Sequence, residues 1–244
     1  MVLRKQKRKI KKLRKMKKKR KLVFLVTVLL GFLVTPVLFA QNTTESPLIR
    51  AVLNNISEVE KVLDEGADIN QQDEKGFTAL MWLCLTSSDE KCRETAKLLI
   101  DKGADVNIKA KNGSTALIEA AGNSYEIFKL LLAKGAEIKA KRNDQSGAFY
   151  QCMLGIIYYD YDHLEMAKYL LENGASVDEA PVSGGGEGST PLIYAARANK
   201  PDIAKFLIEN GANVNAKNKK DQTPLSLAEG KPEMINLLKE NGAK

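Results

Sequence analysis

The segment Leu98-Leu99-Ile100-Asp101-Lys102-Gly103-Ala104-Asp105-Val106-Asn107 contains the pattern that decides the fold of this 244-residue chain. The pattern is an apolar, helix-like run closed by Gly-Ala, and it occurs six times. Its glycines are Gly66, Gly103, Gly135, Gly174, Gly211 and Gly242, which follow one another at intervals of 31 to 39 residues. A recurring period of this length predicts a protein built from stacked repeats.

A second helix is predicted upstream of most of these runs. Glycine just past an apolar run ends a helix, because glycine adopts the left-handed conformation without a Cβ clash. Further upstream, Ser or Thr is followed by Pro or Ala, a combination typical of a helix start. These starts are Ser46-Pro47, Thr78-Ala79, Thr115-Ala116, Thr190-Pro191 and Thr223-Pro224. One unit is therefore a capped helix, a turn, a second helix, a glycine stop and a loop.

The units resemble the ankyrin repeat, whose pattern runs G-x-T-P-L-H, then A-A, then a Leu-rich helix and G-A-D-V-N. Residues 113–121 read Gly-Ser-Thr-Ala-Leu-Ile-Glu-Ala-Ala, and residues 190–196 read Thr-Pro-Leu-Ile-Tyr-Ala-Ala. The resemblance covers about residues 45–244. It departs from the family pattern in two ways, since no copy keeps the motif His and the fourth lacks Thr-Pro-Leu. The resemblance implies an all-α solenoid of about six helix-turn-helix repeats with short β-turn loops.

The predicted repeats occupy about residues 46–72, 73–110, 111–141, 142–178, 179–217 and 218–244, which form one repeat domain. Two lysines distinguish the ends of this domain. Five residues before the Gly only the first copy is charged, at Lys61, and three residues before it only the last, at Lys239. These positions lie about 200° apart on a helix, so one faces the preceding repeat and the other the following repeat. Charge where no neighbour packs indicates capped terminal repeats.

The N-terminal 40 residues are predicted to direct export. Residues 1–21 contain fourteen Lys and Arg and no acid, and residues 22–40 are a nearly continuous apolar run. This order is typical of a secretory signal, with the small Ala40 before the cleavage point and a polar linker at residues 41–45. The apolar run is also just long enough to be an uncleaved signal anchor, so both alternatives stay open. Either way, we expect the repeats in the periplasm or outside the cell.

The charge distribution argues against a nucleic-acid partner. A Lys/Arg run can bind nucleic acid or direct nuclear import, but this run lies directly before an apolar segment, as in a signal. The whole chain has 38 basic and 30 acidic residues; without the fourteen basic residues of the leader, 24 basic residues face 30 acidic ones. The remaining chain is therefore acidic, unlike a general phosphate-binding surface.

The sequence contains no recognisable catalytic, cofactor or metal motif. His163 is the only histidine, and its position matches one where ankyrin repeats often open the second helix with His. Residues 184–188 are Gly-rich, but no Lys-Ser/Thr follows, so we interpret them as a loop rather than a phosphate cradle. Cys84 and Cys92 either form a disulfide or are both free thiols, and the sequence leaves these alternatives undecided. Cys152 has no evident partner. We expect no catalysis, no cofactor and no metal.

The resemblance implies that a partner binds the concave face, which loop tips and first helices line in ankyrin-like proteins. The candidate residues are Glu74, Lys75, Phe77, Trp82, Lys111, Asn112, Ser114, Glu119, Tyr158, Tyr159, Tyr194, Arg197, Lys219, Lys220 and Gln222. Phe77 occupies a slot that is usually exposed. Trp82 is either an interface hot spot or packed on its neighbour, and the tyrosines at 150–161 either pack within the distorted fourth repeat or form a recognition patch.

The leading functional hypothesis is an exported, monomeric protein–protein interaction module that binds an unidentified protein without catalysis. It would act either as a regulator of a protein from its own cell or as a secreted factor that engages host proteins. Two other classes stay open: a structural protein held in the membrane through residues 22–40, and an enzyme with a site in the fourth repeat. Fold alone does not decide among them.

Overall fold

The computed structural model describes residues 46–86, 89–159 and 161–244, which lie within one compact unit, Glu45–Lys244. The predicted leader (residues 1–40) and linker (residues 41–45) lie outside the described residues. Within the described ranges, no helix is both long enough and apolar enough to cross a bilayer.

The described residues form eleven α-helices, namely five successive pairs and a last helix that is preceded by a turn. They are α1 (Pro47–Asn54), α2 (Val59–Asp64), α3 (Ala79–Thr86), α4 (Glu90–Asp101), α5 (Ala116–Ala121), α6 (Tyr125–Ala133), α7 (Ala148–Tyr159), α8 (Leu164–Glu172), α9 (Pro191–Arg197), α10 (Pro201–Glu209) and α11 (Pro232–Glu240). A 3₁₀ turn, Ile56–Glu58, leads into α2. The predicted all-α repeat architecture is confirmed.

The helix boundaries follow from capping chemistry. The hydroxyls of Thr115 and Thr190 accept hydrogen bonds from the backbone N–H groups three residues later, which would otherwise lack an intrahelical partner. At the other end of each second helix, the glycine of the repeated phrase has a positive φ, for example 95° at Gly103 and 88° at Gly174. Glycine tolerates this conformation, so the same residue type ends all six second helices.

Stacking of neighbouring pairs produces one continuous core. The first helices contact each other in the order α1, α3, α5, α7 and α9, and outside them α4 contacts α6 and α10 contacts α11. Leu131 on α6 and Leu170 on α8 are 0% and 1% exposed. Each repeat therefore buries its apolar side chains both between its own two helices and against its neighbours, as expected for a solenoid.

The loop tips before the first helices are joined by backbone hydrogen bonds across repeats. The N–H of Lys111 donates to the carbonyl of Lys75 at 2.9 Å, and that of Asn143 donates to Asn112 at 2.8 Å. The N–H of Val182 donates to Asp144 at 2.8 Å, and that of Lys219 to Glu187 at 3.1 Å. We call these four linked contacts the tip row. It holds the loops of the second to the sixth repeat in register.

The fourth repeat differs from its prediction in where its extra residues lie. The sequence predicts Tyr150, Tyr158 and Tyr159 in a lengthened stretch between the two helices of the repeat, but these tyrosines belong to α7 itself. This helix has 12 residues, whereas α5 has 6 and α9 has 7. The missing Thr-Pro-Leu is replaced by Ser146-Gly147-Ala148-Phe149, preceded by Gln145 at a φ of 68°. The backbone path of the repeat is therefore kept without its usual residues.

The sixth repeat does not form its predicted first helix. Residues 224–227 form only hydrogen-bonded turns. The Ser226 hydroxyl donates to the carbonyl of Thr223 at 2.9 Å while accepting from the Thr223 N–H at 2.9 Å, which replaces the regular helical pattern with local bonds. Gly230, with a φ of 72°, follows shortly afterwards. The last pair is thus a turn followed by α11.

The structure also places the two lysines at the ends of the repeat domain and the three cysteines. Lys61 and Lys239 are both exposed. Cys84, Cys92 and Cys152 are buried thiols that form no disulfide. The sequence predicts Cys92 in an insertion between the two helices of the second repeat, but Cys92 lies in the first turn of α4, where its N–H donates to the capping Asp89 at 2.9 Å.

Candidate partner-binding surface

The first helices and the loop tips form one face of the stack, which we call the inner face. Its candidate residues fall into three classes of exposure. Glu74, Lys111, Asn112, Tyr158, Arg197, Lys219 and Lys220 are exposed; Lys75, Trp82, Tyr159 and Gln222 are half-buried; and Phe77, Ser114, Glu119 and Tyr194 are buried. Only the first two classes can offer substantial surface to a partner.

In the second repeat, Phe77 is buried rather than exposed, with 8% of its surface accessible. Its ring lies 5.3 Å from that of Trp82, and the indole N–H of Trp82 donates to the Asp73 carboxylate at 2.9 Å. The Lys75 ammonium lies 5.8 Å from the indole centroid. Trp82 is therefore fixed within its own repeat, with a polar partner for its only donor.

Between the third and fourth repeats, Ser114 and Glu119 form a closed polar network instead of exposed contacts. The Glu119 carboxylate accepts from the Ser114 hydroxyl at 2.5 Å and from the Arg142 guanidinium at 2.6 Å. Arg142 also donates to the Ser114 hydroxyl at 3.0 Å. The side chains of Arg142 and Glu119 are only 18% and 5% exposed. Ser114 and Glu119 thus bind inside the stack, because burial of the carboxylate requires a charged partner.

Between the fourth and fifth repeats, three tyrosines and an arginine are joined by hydrogen bonds and a ring contact. We call Tyr150, Tyr158, Tyr194 and Arg197 the tyrosine–arginine cluster. The Tyr150 hydroxyl donates to that of Tyr194 at 3.2 Å, and Arg197 Nη2 donates to the Tyr158 hydroxyl at 2.8 Å. The guanidinium carbon of Arg197 lies 4.8 Å from the Tyr194 ring centroid, within cation–π range.

Burial and hydrogen bonding in this cluster change the acidity of its members. Burial, together with the hydrogen bond to Tyr194, raises the pKa of Tyr150. Burial also raises the pKa of Tyr158, against the opposing effect of Arg197. The hydrogen bond to Tyr158 raises the pKa of Arg197. All three groups therefore keep their protons at neutral pH, and Arg197 contributes a positive charge to the cluster.

The loop before α9 packs closely over the cluster. A Cβ added at Gly186 would lie 2.4 Å from the Tyr194 hydroxyl and 3.2 Å from that of Tyr150. Only glycine fits this approach, so the Gly-rich segment at residues 184–188 has a packing role at Gly186. In the same loop, Val182 is 58% exposed.

Two other tyrosines of the fourth repeat stack with His163 near the turn between α7 and α8. Tyr159 and Tyr161 have ring centroids 5.6 Å apart, and Tyr161 lies 5.1 Å from His163. The Tyr161 hydroxyl donates to the Asn123 side chain at 3.1 Å, and Asn123 donates to the carbonyls of Cys84 and Leu85. Tyr161 therefore packs in the structure and connects three repeats, whereas Tyr158 is 41% exposed.

In the sixth repeat, the candidate residues lie on the loop tip. Lys219 pairs with Glu187 at 2.7 Å, and Gln222 accepts from the Asn218 side chain at 3.0 Å. Lys220 is exposed. In the described ranges there is no cluster of His, Cys, Asp and Glu able to hold a metal ion.

A sequence profile of ankyrin repeats, described as "Ankyrin repeats (3 copies)", matches residues 32–142 and 154–244. The chain belongs to the ankyrin repeat family. Ankyrin repeats are protein–protein interaction modules, and the fold and the predicted resemblance agree with this membership. A search of curated proteins gave no match.

Solved ankyrin-type structures have the same fold. One is a chain from the complex of the predatory endopeptidase Bd0816 of Bdellovibrio bacteriovorus with the immunity protein Bd3460, with a TM-score of 0.62 and 24% identity. The match covers 81% of this chain and 99% of that one. Another is the human ASB11 ankyrin repeat domain, with a TM-score of 0.52, 23% identity and coverage of 82% and 99%.

Sequence reasoning missed Arg142 and Glu187 in this ankyrin stack, and it named Tyr150 among the tyrosines at 150–161 without its contact to Tyr194. Arg142 and Ala110 occupy equivalent positions in their repeats. The N–H of Arg142 donates to the carbonyl of Ser146, and the N–H of Ala110 donates to the carbonyl of Ser114, four residues later in each case. A charged residue in a slot that holds Ala in the preceding repeat was the available signal. Tyr150 and Glu187 had no comparable signal, because their contacts come from other repeats.

Proposed function

We propose that this protein is an exported interaction module that binds a partner protein through the inner face of its ankyrin stack, without catalysis. The observation that carries the proposal is the exposed pair Tyr158 and Arg197, held in a fixed arrangement between the fourth and fifth repeats. Tyr and Arg are among the residues most enriched in interface hot spots. Membership of a protein-binding family supports the same function.

The export part of the proposal rests on residues 1–40, whose basic run and apolar core are typical of a signal. Intact mass measurement of the protein from soluble and membrane fractions of its own cells tests it. A soluble species beginning at Gln41 supports a free module, and a full-length membrane species supports an anchored one. A full-length species confined to the cytoplasm would refute export.

Site-specific photo-cross-linking tests partner binding by the inner face. Tyr158, on the inner helix α7, and Tyr169, on the outer helix α8, are each 41% exposed, so they form a matched pair. Each is replaced by p-benzoylphenylalanine in the full chain, expressed in the producing cells. We expect a discrete cross-linked protein from position 158 and none from position 169. Equal labelling at both positions, or none at either, would contradict the proposal.

Two classes of partner are compatible with this proposal. One solved complex with a similar fold pairs a predatory endopeptidase with an immunity protein, which makes exported peptidases of the same cell the first candidates for a regulated partner. The alternative is a protein of another organism. Cross-linking in pure culture and in the presence of the second organism separates the two, because only a self-partner appears in pure culture.

The geometry around His163 supports the non-catalytic part of the proposal. Both ring nitrogens are buried, and neither has a hydrogen-bond partner among the described residues. The ring stacks on Tyr161 and lies 6.2 Å from Tyr125. A general acid or base must reach its substrate, and these nitrogens contact no solvent. We expect His163→Phe to leave cross-linking from position 158 unchanged.

A further inference from the structure

Arg197 is oriented by neutral groups and lacks a carboxylate partner within the described residues. It is the last residue of α9, it donates to the Tyr158 hydroxyl at 2.8 Å, and it covers the Tyr194 ring at 4.8 Å. A phenol and an aromatic face orient a guanidinium without neutralising its charge. Arg142, the other arginine that bridges two repeats on the inner face, is neutralised by Glu119. Of these two arginines, Arg142 is therefore neutralised within the chain, whereas the charge of Arg197 remains available to a partner.

The free hydrogen-bonding groups of this cluster suit a carboxylate. A guanidinium has five N–H donors in a planar fork that matches the two oxygens of a carboxylate. The Tyr158 hydroxyl accepts from Arg197, and its own hydrogen has no acceptor among the described residues. Arg197 and Tyr158 thus supply donors from two neighbouring repeats to one exposed position.

A second cation, Lys231, binds at the carbonyl end of the helix that Arg197 closes. The Lys231 ammonium donates to the carbonyl of Ala196 at 3.2 Å and also to that of Leu227. Its partners are backbone carbonyls, so its charge is also not cancelled by these contacts. The local charge contrasts with the acidic balance of the chain after its leader, and it selects for negative groups in a partner.

We propose that Arg197 and Tyr158 form a carboxylate-binding site for an acidic segment of the partner protein. The proposal rests on the proposed function, since it specifies the chemistry of the partner at the same face. The occupant is an Asp or Glu side chain, or a chain terminus, that receives the free Arg197 donors and the Tyr158 hydroxyl. Val182, exposed in the neighbouring loop, is available for an apolar residue of the same segment.

A displayed library of random peptides, selected against the full chain, supplies the probe. Each enriched peptide is synthesised in two forms, one with its carboxylates and one with Asn, Gln or a C-terminal amide in their place. We expect the amide form to bind about tenfold more weakly, as for the loss of one charge-assisted hydrogen-bonded pair. We expect Arg197→Gln to weaken the carboxylate form by a similar factor and to leave the amide form unchanged.

Two further variants separate the contact from general charge. Lys168→Gln removes one positive charge from the exposed outer helix α8 and should bind as the unmodified protein does. Arg197→Lys keeps the charge but loses the planar fork, and should recover only part of the affinity. Far-UV circular dichroism establishes that each variant is folded before binding is measured.

The outcomes distinguish this proposal from the proposed function. If Arg197→Gln and Lys168→Gln bind the carboxylate peptides equally, or if the amide forms bind equally well, the carboxylate site is refuted. In that case cross-linking from position 158 still decides whether the inner face binds a protein. Loss of that cross-linking removes the proposed function itself.

Discussion

Two regions of the inner face each hold an arginine between neighbouring repeats, but its charge is neutralised in only one of them. Between the third and fourth repeats, Arg142 is mostly buried and bound by Glu119 and Ser114, so its charge is satisfied within the chain. Between the fourth and fifth, Arg197 is exposed and held by Tyr158 and Tyr194. The first arrangement stabilises the stack, and the second fixes an arginine while leaving its charge available. Repeat position alone therefore does not decide whether a polar residue is structural.

The largest expected effect tests whether the two regions share one core. Leu131→Ala and Leu170→Ala remove side chains that are 0% and 1% exposed on neighbouring outer helices. Each should lower the free energy of unfolding by about 2–5 kcal/mol, because each leaves a cavity at a repeat interface. Urea unfolding monitored by circular dichroism measures this. A loss at one site but not at the other would mean that the stack does not unfold as one unit.

The second prediction concerns the stability contributed by the buried network of Ser114, Glu119 and Arg142. Glu119→Ala should lower the free energy of unfolding by about 3 kcal/mol, because it leaves the Arg142 guanidinium mostly buried without its anion. The matched control is Glu126→Ala, which breaks the exposed pair with Lys129 and should cost less than about 1 kcal/mol. Similar costs for the two variants would show that the network does not stabilise the stack.

Tyr150 tests the buried half of the tyrosine–arginine cluster. Its pKa is raised in the folded protein by burial and by the bond to Tyr194. The folded state therefore retains this proton more strongly, and the resulting stability is present below the unfolded pKa of about 10 and is lost as the pH rises above it. Tyr150→Phe should reduce the loss of stability between about pH 8 and pH 11. Thermal unfolding of both proteins across that range measures the difference, and parallel curves would contradict the assignment.

The smallest change in the free energy of unfolding is expected from substitution of Arg197. Arg197→Gln should change the free energy of unfolding by less than about 1 kcal/mol, because an exposed polar contact contributes little to stability. The same urea experiment measures it beside Glu119→Ala. A cost equal to that of Glu119→Ala would make Arg197 a structural residue, like Arg142, and would remove the contrast between the two regions.

The repeating features of the fold could be predicted from the sequence because they depend on local chemistry. Thr115, Thr190 and the six glycines act through groups a few residues away, so their spacing is sufficient evidence. The sixth repeat is an exception. Thr223-Pro224 has the same local signal as Thr190-Pro191, but Ser226 competes for the backbone groups and a regular helix does not form.

The candidate surface was less predictable, because exposure depends on contacts between repeats. Glu119 is buried since Arg142 reaches it from the next repeat, and Phe77 is buried since Trp82 turns towards it. Tyr158 and Arg197 were among the candidates, but their bond joins residues 39 positions apart. No spacing within a single repeat indicates that pairing.

The tip row has a consequence for how surface loops fluctuate. In most proteins the amide hydrogens of exposed loops exchange rapidly with solvent, because only small local openings are needed. Here the amides of Lys111, Asn143, Val182 and Lys219 each donate to the preceding tip, so each exchanges only when two repeats separate at that edge. Deuterium exchange of these four amides should therefore be slow and similar in rate, while the amide of the exposed tip residue Asn112, which has no acceptor among the described residues, exchanges quickly. The four hydrogen bonds of the tip row therefore break and form as one unit, so the loops that they join rearrange together.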